Sequence, residues 1–262
     1  MLEVSRHIFR NITGRRFIFI LFLGALNLAP QNSSNADGIR SVTYTGNGQN
    51  LTGYLCYPPG QGPFAAVVFN HGGLGHIVRG SPQATCKIIA ASGFIGFCPL
   101  RRKTRTMKGH LDDVMQALRF LKKLKLVNRD RVAMIGFSRG GLLTLMAARR
   151  DPKIKALVLM ASATGRGHLI TELSHASRIT APVLILVAEN DTGSKRTMGQ
   201  NLVRASKTIN QAIVASGGDA TLIIYPPFGP MNHSGVRRSG HMMFFRPGSY
   251  WIDVTGFLKK HL

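Results

Sequence analysis

Acidic side chains are scarce in this chain: 11 Asp and Glu stand against 34 Lys and Arg in 262 residues, a formal charge of +23. An excess of that size favours weak association with anionic membrane or a cell-surface polymer. It does not argue for nucleic acid, because the cations fall in scattered groups (Arg101-Arg102-Lys103, Lys122-Lys123-Lys125, Arg237-Arg238) with no base-reading module among them. Cysteine is scarcer still. Cys56, Cys86 and Cys98 cannot all pair, and no Cys-x-x-Cys or Cys/His spacing suggests a zinc site. Cys56 and Cys98 lie in apolar strand-like runs and Cys86 in a helix-like one, which predicts buried free thiols, with one disulfide open to an oxidising compartment.

The apolar run from Phe17 to Ala29 is too short for a membrane span of about 20 residues. Preceded by Arg6, Arg10, Arg15 and Arg16 and followed by a polar stretch ending Ser34-Asn35-Ala36, it has the form of a secretory signal peptide. Residues 1–36 are therefore read as a signal peptide cleaved before Asp37, the alternative being an uncleaved amino-terminal anchor. The protein is expected in the periplasm or outside the cell. Residues 37–262, without an internal repeat or linker, fit one domain.

Within that domain strands and helices alternate. An opening hairpin is expected around Gly46-Asn47-Gly48-Gln49, then strands at 64–70, 94–98, 132–137, 154–160, 183–187 and 221–225. Helices are expected at 83–91, 111–124, from Gly141, at 169–177, 194–215 and 250–262. This pattern implies an α/β fold with a mostly parallel central sheet and helices on both faces. The segment 162–180 is too short for a large lid. In such sheets the chemistry lies beyond the carboxyl ends of the strands.

Three strand-end loops and one turn carry candidate residues. Ser138 lies in Gly136-Phe-Ser-Arg-Gly140, between an apolar strand and a helix, and the flanking glycines let the two approach closely, leaving Oγ exposed. Asn70-His71-Gly72-Gly73-Leu74 supplies small residues where backbone N–H groups can face an oxyanion. The donors expected are the main chains of Arg139 and Gly73, with Leu74 next. Downstream of Ser138 only Glu189 and Asp191 lie at a strand exit, and Asp191, further out on the turn, is the better orienting acid. His241 in Ser239-Gly-His-Met is preferred over His233 as the base. Ser138, Asp191 and His241 occur in the order of a nucleophile, acid and base on an α/β-hydrolase sheet.

These motifs, with Tyr225-Pro-Pro-Phe-Gly229 and Trp251-Ile-Asp-Val-Thr-Gly-Phe-Leu258, resemble the α/β-hydrolase superfamily, and within it the dienelactone hydrolase-like esterases, from about Gly53 to Leu262. The resemblance implies a serine hydrolase without metal or organic cofactor, acting on a small-molecule ester. The namesake of that group uses a cysteine nucleophile where this chain has Ser138, so a carboxylic ester with an unspecified acyl chain is the expectation. The alternatives are a small-amide or peptide hydrolase of the same fold and a non-catalytic binding protein on this scaffold. Arg101, Arg102, Lys103 and Arg105 follow a strand end and are expected either to face the pocket, where they would favour acidic substrates, or to form a solvated loop.

Overall fold

The computed structural model describes residues 38–262 apart from 47, 236 and 238. The expected leader and its cleavage point lie outside the described residues. Strands β1 (Ile39–Gly46) and β2 (Gln49–Cys56) form the opening hairpin, followed by β3 (Phe64–Asn70), α1 (Pro82–Ala91), β4 (Ile95–Leu100) and α2 (His110–Lys122). Then come β5 (Val127–Phe137), α3 (Arg139–Ala148), β6 (Ala156–Met160), α4 (His168–Leu173), β7 (Val183–Ala188), α5 (Leu202–Ala215), β8 (Ala220–Tyr225) and α6 (Trp251–His261).

The eight strands make one sheet in the order β1-β2-β4-β3-β5-β6-β7-β8. β2 runs antiparallel to β1 and β4, and every neighbour from β4 to β8 is parallel. The inner strands are apolar throughout because both faces are covered. Side chains alternate between the two layers. In β5, Val132 and Met134 join the layer under α2, α3 and α5, whereas Ala133, Ile135 and Phe137 join the layer under α1 and α6. Each fully buried phenylalanine of this sandwich, such as Phe69, Phe97, Phe137 or Phe244, contributes about 1.5–3 kcal/mol by leaving water.

The long helix expected over 194–215 is interrupted. Ser194 and Thr197 close a capping box around a short 3-10 turn, Met198 and Gly199 take positive φ of 54° and 76°, and Asn201 starts α5 afresh by accepting the Arg204 N–H. Two capping residues seven positions apart therefore specify two starts, and local side-chain bonds outweigh continuous helical periodicity. The helix expected over 169–177 likewise ends at Leu173, where the Ser174 hydroxyl bonds the Thr171 carbonyl, and a 3-10 turn over Ala176–Arg178 follows.

The expectation of three free thiols is corrected. Cys56, at the end of β2, is disulfide-bonded to Cys86 in α1, and Cys98 alone is free and buried. Cys56 and Cys86 face the same layer from strand and helix, a proximity that thirty residues of sequence separation hide.

Candidate active site

β5 is the central strand of the parallel region, and it delivers Ser138 to the carboxyl edge of the sheet. Ser138 takes φ 54° and ψ −117°, a region costly for a residue with a Cβ, of order 1–3 kcal/mol. Main-chain bonds hold it there. Its N–H donates to the Met160 carbonyl of β6 at 2.9 Å, and its carbonyl accepts from Gly141 and Ala163 at 2.9 and 3.0 Å. The elbow glycines are required by contact: a Cβ on Gly136 would lie 2.3 Å from the Gly140 oxygen, and one on Gly140 would lie 1.9 Å from the Asn70 oxygen.

Asp191 follows β7, and His241 sits in a 3-10 segment (Gly240–Phe245) between β8 and α6. The structure brings the three side chains into one line. Since a carboxylate only accepts, His241 Nδ1–H donates to Asp191 Oδ2 at 2.8 Å, which leaves Nε2 to accept from Ser138 Oγ at 3.1 Å. Asp191 and His241 are almost fully buried. The imidazole packs on Phe137, with ring centres 4.8 Å apart, and against the edge of Phe245. The Asp191 carbonyl accepts the N–H groups of Leu202 and Val203, so the start of α5 fixes the acid's main chain. Glu189 and His233, the alternatives weighed from sequence, are exposed and make no bond to this line among the described residues.

The loop after β3 folds back as Gly72 and Arg79 exchange two main-chain bonds of 3.0 and 3.1 Å. Gly73 has φ 94°, and a Cβ there would lie 2.0 Å from the Ile77 oxygen. The N–H groups of Gly73 and Leu74 make no main-chain bond among the described residues, and the N–H of Arg139 belongs to the unpaired first turn of α3. All three residues line the cavity with Ser138.

Beneath this loop lies a feature that sequence reasoning missed. Arg101 is buried, and its guanidinium donates to the His71 carbonyl at 2.7 Å while its own N–H donates to His71 Nε2 at 3.3 Å. His71 Nδ1–H in turn bonds the Gly72 carbonyl at 2.7 Å. Burial, then the Arg101 charge, lowers the His71 pKa to about 3, so the ring stays neutral. Burial, ahead of the nearby Arg139 charge, also pulls Arg101 below the usual guanidinium range. Its Nε has no partner, and no carboxylate among the described residues pairs with it. Arg101 and Arg102 therefore do not face the pocket as a pair of free cations: Arg102 is bonded to Asp113 at 2.6 Å, and only Arg105 of that run lines the cavity.

The cavity above Ser138 has a volume of about 730 Å³. Gly165 and Arg166, between β6 and α4, and His168 at the start of α4 form part of its wall, and among the described residues no large lid covers it. No cluster of three His, Cys, Asp or Glu among the described residues is placed to hold a metal ion.

A serine at a strand-to-helix turn, with a carboxylate after β7 and a histidine after β8 on a mostly parallel sheet, is the arrangement of the α/β-hydrolase fold. Residues 100–241 match the dienelactone hydrolase family, to which the chain belongs, and residues 35–163 match acetyl xylan esterase (AXE1). The protein is similar to the uncharacterized peptidase YtmA of Bacillus subtilis, 28% identical over a stretch spanning 41% of this chain and 44% of that relative. Among solved structures, an esterase of Pyrobaculum calidifontis superposes with a TM-score of 0.65 at 17% identity, covering 85% of both chains. An acylaminoacyl peptidase of Pyrococcus horikoshii does so at 0.64 and 15% identity, over 86% of this chain and 42% of that one. At these identities the two structures share the fold with this protein.

Proposed function

We propose that this protein is a serine esterase that cleaves carboxylic esters through an acyl-enzyme on Ser138. The observation that carries the reading is the line Ser138, His241, Asp191, joined at 3.1 and 2.8 Å, with Ser138 and His241 on the wall of the cavity and Asp191 buried behind them. His241 takes the Ser138 proton as Oγ attacks the ester carbonyl, and Asp191 holds the tautomer and stabilises the imidazolium. The N–H groups of Arg139 and Gly73 receive the oxyanion. Collapse expels the alcohol with the proton from His241. Water, activated by the same histidine, then attacks the acyl-enzyme and releases the acid.

A fluorophosphonate probe tests this: the wild type labels at Ser138 and Ser138→Ala does not, whereas an unlabelled wild type removes the reading and leaves a binding protein on this scaffold. The peptidase names of two similar proteins favour a second assay on anilides of the same acids. The same proposal places the enzyme outside the cytoplasm. The signal-like start and the Cys56–Cys86 disulfide support export, and the mass of the mature protein tests it.

A further inference from the structure

The cations around the cavity come from separate parts of the chain. Arg79 closes the loop after β3, and Arg105 stands beside it, its Cγ 3.3 Å from where a Gly75 Cβ would be. On the histidine side, Lys195 and Arg196 project from the 3-10 turn after β7, and Arg196 donates to Ser239 Oγ at 3.3 Å, two residues before His241. Arg166, after β6, lines the same cavity.

Among the described residues no Asp or Glu lines the cavity, and neither these five cations nor Arg139, which lines it beside Ser138, has a carboxylate partner. The carboxylates that form ion pairs with lysine or arginine do so elsewhere: Asp113 with Arg102, Asp151 with Lys122, Glu172 with Arg149. Arg79 instead lies over the Phe245 ring at 5.4 Å. A concave site with low-dielectric walls and charge of one sign focuses its field on whatever enters. Arg79 and Arg105 come from the loops after β3 and β4, on one side of β5 in the sheet, and Arg166, Lys195 and Arg196 from the loops after β6 and β7, on the other, so a single anionic group would leave one side unmatched.

We propose that the substrate is a small ester carrying negative charge on both sides of the scissile bond, in its acyl part and in its alcohol part. This rests on the serine esterase reading. Arg79 and Arg105 receive one anion on the side of the loops after β3 and β4, and Arg166, Lys195 and Arg196 receive the other on the side of the loops after β6 and β7.

The test compares 4-carboxyphenyl hemiglutarate, a dianion, with its neutral bis-amide, and with the two monoanions that keep one carboxylate each. Exposed charge pairs change binding by roughly two- to five-fold each, so with two anionic groups the dianion should exceed the bis-amide by about four- to twenty-five-fold in kcat/KM at low salt. That ratio should shrink steeply between 10 and 300 mM salt, since the cations are exposed. Arg105→Gln should lower the preference for one monoanion and Arg196→Gln for the other, while Lys207→Gln, on the exposed face of α5, leaves both as in the wild type.

Equal turnover of dianion and bis-amide, or ratios unmoved by both arginine variants, overturns the inference while the esterase reading stands. If no ester is turned over and the fluorophosphonate leaves Ser138 unlabelled, the esterase reading itself fails. Citrate binding to Ser138→Ala by calorimetry then decides the cationic cavity separately. Binding that is lost in the variant also carrying Arg105→Gln and Arg196→Gln supports the two-sided site, and no binding overturns it.

Discussion

Replacing Arg101 by Met should separate activity from stability. The guanidinium contributes one short charged bond to the His71 carbonyl, worth about 1.5–3 kcal/mol, and its loss leaves that buried carbonyl unpaired. Against this, Met removes a buried charge with no carboxylate partner, whose desolvation costs several kcal/mol, and an orphaned Nε worth about 1–3 kcal/mol. The opposing terms nearly cancel, so the variant should unfold within about 2 kcal/mol of the wild type, a Tm shift under roughly 8 °C. The loop is affected differently. His71 bonds the Gly72 carbonyl beside Gly73, and under the proposed mechanism a misplaced Gly73 N–H would cost up to about 10²-fold in kcat. Steady-state hydrolysis of 4-nitrophenyl acetate beside a thermal melt should therefore show kcat down about 30- to 100-fold, KM little changed, and a near-native melt. A kcat within three-fold of wild type, or activity and Tm falling in proportion, would refute a positioning role for Arg101.

Asp191→Asn should keep the fold and lower kcat by about 10³–10⁴-fold, because an amide stabilises the wrong His241 tautomer and carries no charge; near-normal turnover would show that another group orients the ring. Opening the Cys56–Cys86 bond, which closes a loop of 30 residues, should cost about 3–4 kcal/mol of stability, read as a lower Tm in dithiothreitol or in Cys86→Ala. Cys98, its thiol pKa raised by burial, should stay unlabelled by maleimide until the protein unfolds. His71 makes the fold acid-sensitive. Above its unfolded pKa of about 6.5 both states are neutral, but as pH falls toward 3 only the unfolded chain takes the proton, so stability drops by up to about 1.4 kcal/mol per pH unit. Denaturant melts at pH 7 and pH 5 should show this slope, and His71→Gln should flatten it.

The elbow was legible from sequence because its requirements are local: an apolar strand, glycines on either side of Ser138, and a helix all within twenty residues. Asp191 and His241 were legible because each follows a strand of a sheet whose handedness is fixed, so chain order translates into position along one edge. The break at Met198 and Gly199 escaped the periodicity because the apolar spacing continues across it while two capping side chains decide otherwise. The Arg101–His71 contact left no local signal. A cation reads as solvated until the fold shows what covers it, and four neighbouring basic residues here go to different places: Arg101 into the interior, Arg102 onto Asp113, Lys103 into solvent and Arg105 to the cavity. The gathering of cations around the cavity was hidden for a related reason, since Arg79, Arg166 and Arg196 come from loops after β3, β6 and β7.

The Cys56–Cys86 bond has a topological consequence. The covalent ring it closes contains β3 and the whole turn from Asn70 to Arg79, so the segment that carries Gly73 is tethered at both ends. A protease that clips the exposed tip near Ile77 would leave two fragments still joined through sulfur, and they would separate on a denaturing gel only after reduction. Outside a reducing compartment, a nick at that tip would therefore not release either half of the molecule.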